Sequence, residues 1–433
     1  MRVVHLVAGA GGMFCGSCLY GNALAAALQR AGADAILVPL YTPLRTDEQD
    51  VGLPHVALGG LNVYLQHRWP ALAALPQWIK RLLDSPALLR LASRLAVSNR
   101  PQELGRLTVA TLQADQPPLR AELDRLIDWL AAELRPDVVH LNNALLVGVA
   151  REIRRRLGAA VVCTLSGEDV FLEKLEQPFA SQAQQLLRER CAELDALVAP
   201  NRYYAAAMAE YLDVRPEKID IVPLGLSLEG YGEPGQQRQL RQPEHPAVIG
   251  FLARICPDKG LHLLAEALNI LCNLPTMPPV VVRAAGYLHP ADRPYLGNIQ
   301  HQLAQWKIAD RFQYVGELDR RGKIAFLQSL DVLCVPTLYR ESKGLYVLEG
   351  WAAGVPAVLP AHGAFPEMVA ETGGGVLFPP GDVYALADSL KQMILNRNYA
   401  AECGVRAHRA VRQKYDIALA ASRVLEIYKR IKP

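Results

Sequence analysis

The sequence predicts an α/β protein built from two doubly wound units, each a parallel sheet flanked by helices. Three observations carry this. Short apolar runs alternate with segments of helical period along most of the chain, which is the signature of repeated β-α units. Residues 230–246, GYGEPGQQRQLRQPEHP, have no apolar period and are rich in Gly, Pro and Gln, as a linker is. The length of 433 residues leaves each half room for its own core. The expected division is 1–229, the linker 230–246, 247–415, and a last helix over 416–433 that crosses back to the first unit.

In the first unit, Arg2 to Ala10 reads as a buried strand running into Gly11 and Gly12. A helix over 19–30 follows, ended by Gly32, and a second strand over 35–40. A strand–glycine–helix opening invites a dinucleotide, because small residues let phosphates approach the backbone. Two features argue against NAD: the spacing is not G-x-G-x-x-G, and the second strand ends in Pro39, Leu40, Tyr41 and Thr42, with no acid for a ribose. Cys15 and Cys18 stand at the helix start. They read as small residues packed under the glycine-rich loop, or as a redox pair whose thiols the helix dipole acidifies.

Residues 42–130 exceed what a simple β-α repeat needs, and a helical insertion is expected over about 62–115. From Arg68 to Arg106 there are seven Lys or Arg against Asp84 and Glu103, a net of +5, interleaved with Trp69, Trp78 and many Leu. This reads as a helical pair packed on its own domain, or as a basic face for an anionic membrane surface. The alternation then resumes: helix 124–134, strand 137–141, helix 145–157, strand 160–165, helix 180–192, strand 196–199, helix 203–212 and strand 219–222.

The second unit opens with a strand over 247–252 and the loop Ala253 to Gly260, which holds Arg254 and Lys259 before a helix begins near Leu261. Further strands fall near 279–285, 312–315 and 332–336. After Pro336 comes a polar loop, Leu338 to Lys343, then a short helix over 344–353, with Gly354 at its C-cap and Pro356 barring continuation. A strand over 357–359 closes this strand–loop–helix–strand unit, whose loop lies where open α/β sheets bind ligands. Glu341 lies in the loop and Glu349 eight residues on, inside the helix. Taken alone the two read as ordinary surface glutamates of a solvated loop, or as a loop carboxylate that accepts hydrogen bonds from a polyol and one further in that suits paired ribose hydroxyls. The amides of Lys343, Gly344 and Leu345 at the helix start suit phosphate oxygens.

Glu341-Ser-Lys-Gly-Leu-Tyr-Val-Leu-Glu349, followed by Gly-Trp-Ala-Ala-Gly-Val-Pro, resembles the E-x7-E motif of retaining, nucleotide-sugar-dependent glycosyltransferases, and glycosyltransferase family 4 in particular. Arg254 to Gly260 is similar to the R-x4-K-G element of the same family, and Gly363 to Glu367 to its G-x-x-P-E loop. The resemblance implies two facing Rossmann-like domains of the GT-B fold with an interdomain cleft, the donor on the C-terminal domain and the acceptor on the N-terminal one. It implies that Arg254 and Lys259 bind the donor diphosphate, that Glu341 orients the sugar and that Glu349 binds the ribose. It puts Gly11, Gly12 and Gly316 beside the donor. Thr164 to Asp169 resembles the family's T-x-H-G-x-D loop, with Ser166 where histidine is usual. Serine cannot be a charged acid near pH 7, which puts a mechanism needing imidazole there in doubt. The acceptor-side candidates are Ser166, Glu168, Asp169 and His140, with Asp169 reading equally as a cap of the following helix.

Composition bounds the partners. A net charge of +3 is too small to argue for nucleic acid. Eight scattered Cys, mostly in apolar runs, read as reduced thiols. The N-terminal apolar run is too short for a signal peptide and no apolar stretch is long enough to span a bilayer. The expectation is a cytoplasmic protein, or one peripheral to the inner face of the membrane. No D-x-D-type cluster or zinc pattern is evident, so neither a metal nor a cofactor is expected. Its partners are a nucleoside-diphosphate-sugar and an acceptor the residues do not name. A phosphorylase or epimerase on the same fold, or a catalytically silent nucleotide-sugar binder, remains open.

Overall fold

A computed structural model describes residues 1–9, 15–54, 56–58, 105–114, 119–232 and 245–432. Gly11 and Gly12, most of the basic insertion and most of the linker lie outside the described residues. The chain forms two compact units, Met1–Gly225 with Ile417–Pro433, and Leu226–Asp416.

The first unit holds β1 (Arg2–Val7), β2 (Asp34–Pro39), β3 (Val138–Leu141), β4 (Ala160–Thr164), β5 (Ala196–Ala199) and β6 (Ile219–Ile221). They form one parallel sheet in the order β2-β1-β3-β4-β5-β6. β3 and β4 are buried along their whole length, as strands covered on both faces are, which is why they read as mainly apolar runs broken only by His140 and Thr164.

Two helices differ from expectation. The segment expected as one helix over 145–157 begins as a 3-10 turn, Ala144–Val149, and becomes α-helical only over Ala150–Leu157. Asn143 caps the turn by accepting from the Leu145 amide at 2.8 Å. Gly148 then lies so close to Thr111 that a Cβ would sit 2.1 Å from its carbonyl oxygen. The helix before β3 runs over Leu119–Trp129 and widens into a π turn, Leu130–Leu134. That turn ends where Arg135, at φ 47°, donates its amide to Leu130 at 2.7 Å, and Pro136 prevents continuation.

The C-terminal helix Ile417–Ile431 belongs to the first unit and packs on helix Gly16–Arg30. A buried polar cluster ties it to the sheet. His5 of β1 lies opposite His140 of β3, with ring centroids 4.8 Å apart. Tyr428 is hydrogen-bonded to His140 Nδ1 and, at 3.1 Å, to His5 Nε2. His140 Nε2 meets Thr164 Oγ1 at 2.7 Å.

The second unit holds β7 (Ala247–Leu252), β8 (Val280–Ala285), β9 (Phe312–Gly316), β10 (Val332–Cys334), β11 (Ala357–Pro360) and β12 (Gly375–Phe378). Its order, β12-β11-β10-β7-β8-β9, is that of a dinucleotide-type doubly wound sheet, with the switch point between β7 and β10. Helix Leu345–Ala352 is buried from Tyr346 to Ala352. Gly350 lies flush on Leu333, and the Trp351 indole donates to the Gly374 carbonyl at 2.9 Å. The helix is therefore fixed against the sheet on more than one side.

The histidine cluster sets an acid limit on the first unit. Burial lowers His5 from 6.5 to about 3. Burial first, and the neighbouring His5 second, hold His140 well below its ordinary value. Both are neutral in the fold, so stability is complete above pH 6.5 and falls as the unfolded chain gains protons below it, by up to about 1.4 kcal/mol per pH unit for each histidine. Thermal unfolding between pH 7 and pH 5 should show a falling midpoint, and the double variant His5→Asn/His140→Asn should have a shallower pH slope.

Candidate functional site

The loops that carry the predicted residues leave adjacent strands at the switch point of the second unit. The β7 loop ends at Gly260, whose φ is 73° and where a Cβ would lie 2.0 Å from the Pro336 carbonyl oxygen of the β10 loop. Glycine is required there for both reasons. Leu338 N donates to Asp258 O at 2.9 Å across the same junction. The loop after β11 closes from the other side. Gly363, at φ 62°, would place a Cβ 2.5 Å from Glu341 O, Ala364 N donates to that oxygen at 2.8 Å, and His362 Nε2 meets Thr337 O at 2.9 Å. The three loops are fitted backbone to backbone, so the side chains they carry have little freedom to drift.

Lys259 and Glu341 meet at this junction. Lys259 Nζ lies 2.8 Å from Glu341 Oε2, and the Tyr339 and Tyr346 hydroxyls donate to the same oxygen at 2.9 and 3.2 Å. Burial alone would raise the Glu341 pKa. The Lys259 charge, hydrogen bonds from Lys259 and Tyr339, and the Lys343 charge outweigh it and hold the group at about 2. Glu341 is thus ionised although it is only 6% exposed. Burial, with the Glu341 charge second, pushes both tyrosines well above their ordinary range.

Arg254 is exposed on the same β7 loop. Lys343 donates its amide to Glu341 Oε1 at 3.4 Å. Gly344, at φ 67°, is the N-cap of helix Leu345–Ala352, which has no side-chain cap and no acid in its first turn. That leaves an anion-ready terminus beside Lys259 and Lys343. Gly316 is not drawn into this cluster; it ends β9 and accepts from Gly286 N at 2.9 Å.

Glu349 is buried in that helix and pairs through Oε1 with Lys323 Nζ of helix Arg320–Gln328. Its Oε2 has no partner among the described residues. Sequence reasoning missed Lys323. The available signal was its place on the apolar stripe with Ile324, Phe326 and Leu327, but an isolated lysine there reads as a side chain snorkelling to solvent.

In the first unit the loop after β4 brings Ser166, Glu168 and Asp169 together around Tyr204. Glu168 is 1% exposed and accepts from Ala144 N at 2.8 Å and Ser166 N at 2.7 Å, with Tyr204 Oη 3.2 Å from its Oε2. Tyr204 donates to Asp169 Oδ1 at 2.7 Å and accepts from Gly167 N at 2.7 Å. Ser166 Oγ donates to Asn142 O at 3.1 Å. His140 is not part of this group; both its ring nitrogens are engaged in the core beneath.

Among the described residues no three His, Cys, Asp or Glu side chains gather as metal ligands, and no helix is long and apolar enough to cross a membrane. None of the eight cysteines forms a disulfide.

Residues 233–410 match the family Glycosyl transferases group 1, and residues 98–229 match Glycosyltransferase Family 4. A phosphatidyl-myo-inositol mannosyltransferase of Mycobacterium leprae is 32% identical over 29% of this chain and 33% of its own. A 2-deoxystreptamine glucosyltransferase of Streptomyces kanamyceticus is 24% identical over 66% of this chain and 79% of its own. A D-inositol 3-phosphate glycosyltransferase of Stackebrandtia nassauensis is 27% identical over 69% and 67%. The chain thus spans a third of the first of these relatives and at least two thirds of the other two. Among solved structures, sucrose-phosphate synthase from Thermosynechococcus elongatus superposes with a TM-score of 0.73 at 16% identity, covering 100% of this chain and 99% of that one. Anabaena HepE in complex with UDP gives 0.66 at 18% identity, covering 99% and 100%. The chain therefore carries group 1 and family 4 glycosyltransferase domains on the GT-B fold.

The Lys323–Glu349 pair makes a stability prediction. Lys323→Met alone leaves a buried carboxylate unpaired and should destabilise the second unit by about 3–5 kcal/mol, whereas Lys323→Met with Glu349→Leu should recover most of that loss. Urea unfolding of the two variants beside the parent checks this.

Proposed function

We propose that the chain transfers a sugar from a nucleoside-diphosphate-sugar to an acceptor hydroxyl with retention of configuration. The observation that carries the reading is the Lys259–Glu341 pair at the switch point, beside an uncapped helix N-terminus. A leaving nucleoside diphosphate gains negative charge as the glycosidic bond breaks, and fixed cations stabilise that charge most in the transition state. Arg254, Lys259 and the amides of Gly344 and Leu345 supply it, which is the work a divalent metal does in other sites. Glu341 accepts from the sugar hydroxyls. Glu349 presents its unpartnered Oε2 to the ribose. No side chain is assigned as a covalent nucleophile, because front-face attack assisted by the departing phosphate needs none.

HepE, a structural neighbour, has been captured with UDP and with UDP-glucose, which favours a uridine donor. The relatives named for inositol phosphate and deoxystreptamine favour a polyhydroxylated ring as acceptor. In the first unit the carboxylate suited to that ring is Asp169. Glu168 is committed to backbone amides, whereas Asp169 is half-buried and its Oδ2 has no partner among the described residues. The basic segment 68–106 would serve an acceptor held at an anionic membrane surface.

Thermal shifts with UDP, GDP, ADP and their glucose conjugates, followed by hydrolysis of the best binder without acceptor, test the reading. Selective stabilisation with slow hydrolysis is the expected outcome. Arg254→Ala should lower kcat by 10²–10³, about 2.7–4 kcal/mol by analogy with a lost oxyanion donor. Near-normal turnover in that variant would remove Arg254 from the mechanism, and binding without any turnover would favour a silent nucleotide-sugar binder.

A further inference from the structure

Tyr339 and Tyr346 have no role in the scheme above, yet both close on its central pair. An ammonium has three N–H donors and no acceptor. Lys259 gives one to Glu341 Oε2 and one to the Tyr339 hydroxyl, and the third is uncommitted among the described residues. Tyr339 passes its own proton on to Glu341 Oε2, and Tyr346 donates there as well. Nζ also lies 4.9 Å from the Tyr339 ring centroid, on its hydroxyl side, and 4.8 Å from the Tyr346 ring centroid. Glu341 Oε2 thus receives three donors, while Oε1 receives only the long contact from Lys343 N at 3.4 Å.

We propose that Tyr339 and Tyr346 are positioning residues that join the phosphate-binding cation and the sugar-binding carboxylate into one preorganised unit. The proposal rests on the donor-site reading above. Pinning Oε2 turns Oε1 toward the ligand as the oxygen that accepts from a sugar hydroxyl. Holding Lys259 at the Tyr339 hydroxyl and beside the Tyr346 ring leaves its third N–H for a diphosphate oxygen. The two tyrosines divide the work. Tyr346 reaches Glu341 through its hydroxyl and Lys259 only through its ring. Tyr339 reaches both groups through its hydroxyl.

This division separates positioning from a general packing role, because Tyr→Phe keeps the ring and removes the hydroxyl. Calorimetric titration with UDP and with UDP-glucose gives the readout. In Tyr346→Phe the affinity for UDP should stay within twofold of the parent while that for UDP-glucose falls about tenfold, the scale of one hydrogen bond to a charged group. Tyr339→Phe should weaken both ligands. Equal changes for UDP and UDP-glucose in Tyr346→Phe, or no change in either, would overturn the proposal. Lys259→Met that keeps full UDP affinity, or a parent protein that binds neither ligand, would instead overturn the donor-site reading on which it rests.

Discussion

The contact on which the second unit's site depends is the meeting of Lys259 and Glu341 across two loops that leave neighbouring strands. Two ions in so buried a place are stable only with good geometry and further hydrogen bonds. Both conditions trace to the backbone. Gly260 lets the β7 loop press against Pro336, and Gly363 lets the β11 loop press against Glu341 itself. A side chain at either glycine would drive the loops apart and leave two buried charges without partners.

The charges of the second unit are paired within the fold. Arg254 is exposed, and Lys259 is paired with Glu341. Glu349 is neutralised by Lys323. The helix terminus at Gly344 carries only partial charge. Under the proposed function, an arriving diphosphate finds donors already aimed and does not have to assemble them, which is the condition for electrostatic stabilisation in the transition state.

Much of this was legible in the sequence because the strands are short, apolar and bounded by Gly, Pro and charged residues. β5 and the helix at Leu345 lie within a residue of expectation for that reason. The 3-10 turn over Ala144–Val149 was not legible. Its Ala-Leu-Leu-Val-Gly-Val run has helical period, and only the tertiary approach of Gly148 to Thr111 decides its form. In the site, Glu341 and Lys259 could each be named, but that they hold one another depends on the switch-point order of β7 and β10, which no spacing reveals. Lys323 and the two tyrosines escaped for the same reason. His140 was grouped with the acceptor side, whereas its ring lies inward, against His5 and Tyr428.

The two units use buried carboxylates in opposite ways, and the difference follows from the donors. In the first, Glu168 is held by the amides of Ala144 and Ser166. Those donors have one proton each and cannot turn to another partner, so Glu168 is a strut that fixes the β4 loop to the end of β3. In the second, Glu341 and Glu349 are held by ammonium groups on flexible stems. An ammonium keeps donors in reserve and can serve a carboxylate and a phosphate together. Backbone amides fix Glu168 in place, whereas mobile side-chain donors hold Glu341 and Glu349. The same sheet architecture thus carries an amide-held brace in one unit and lysine-held charge pairs in the other, set by which atom donates.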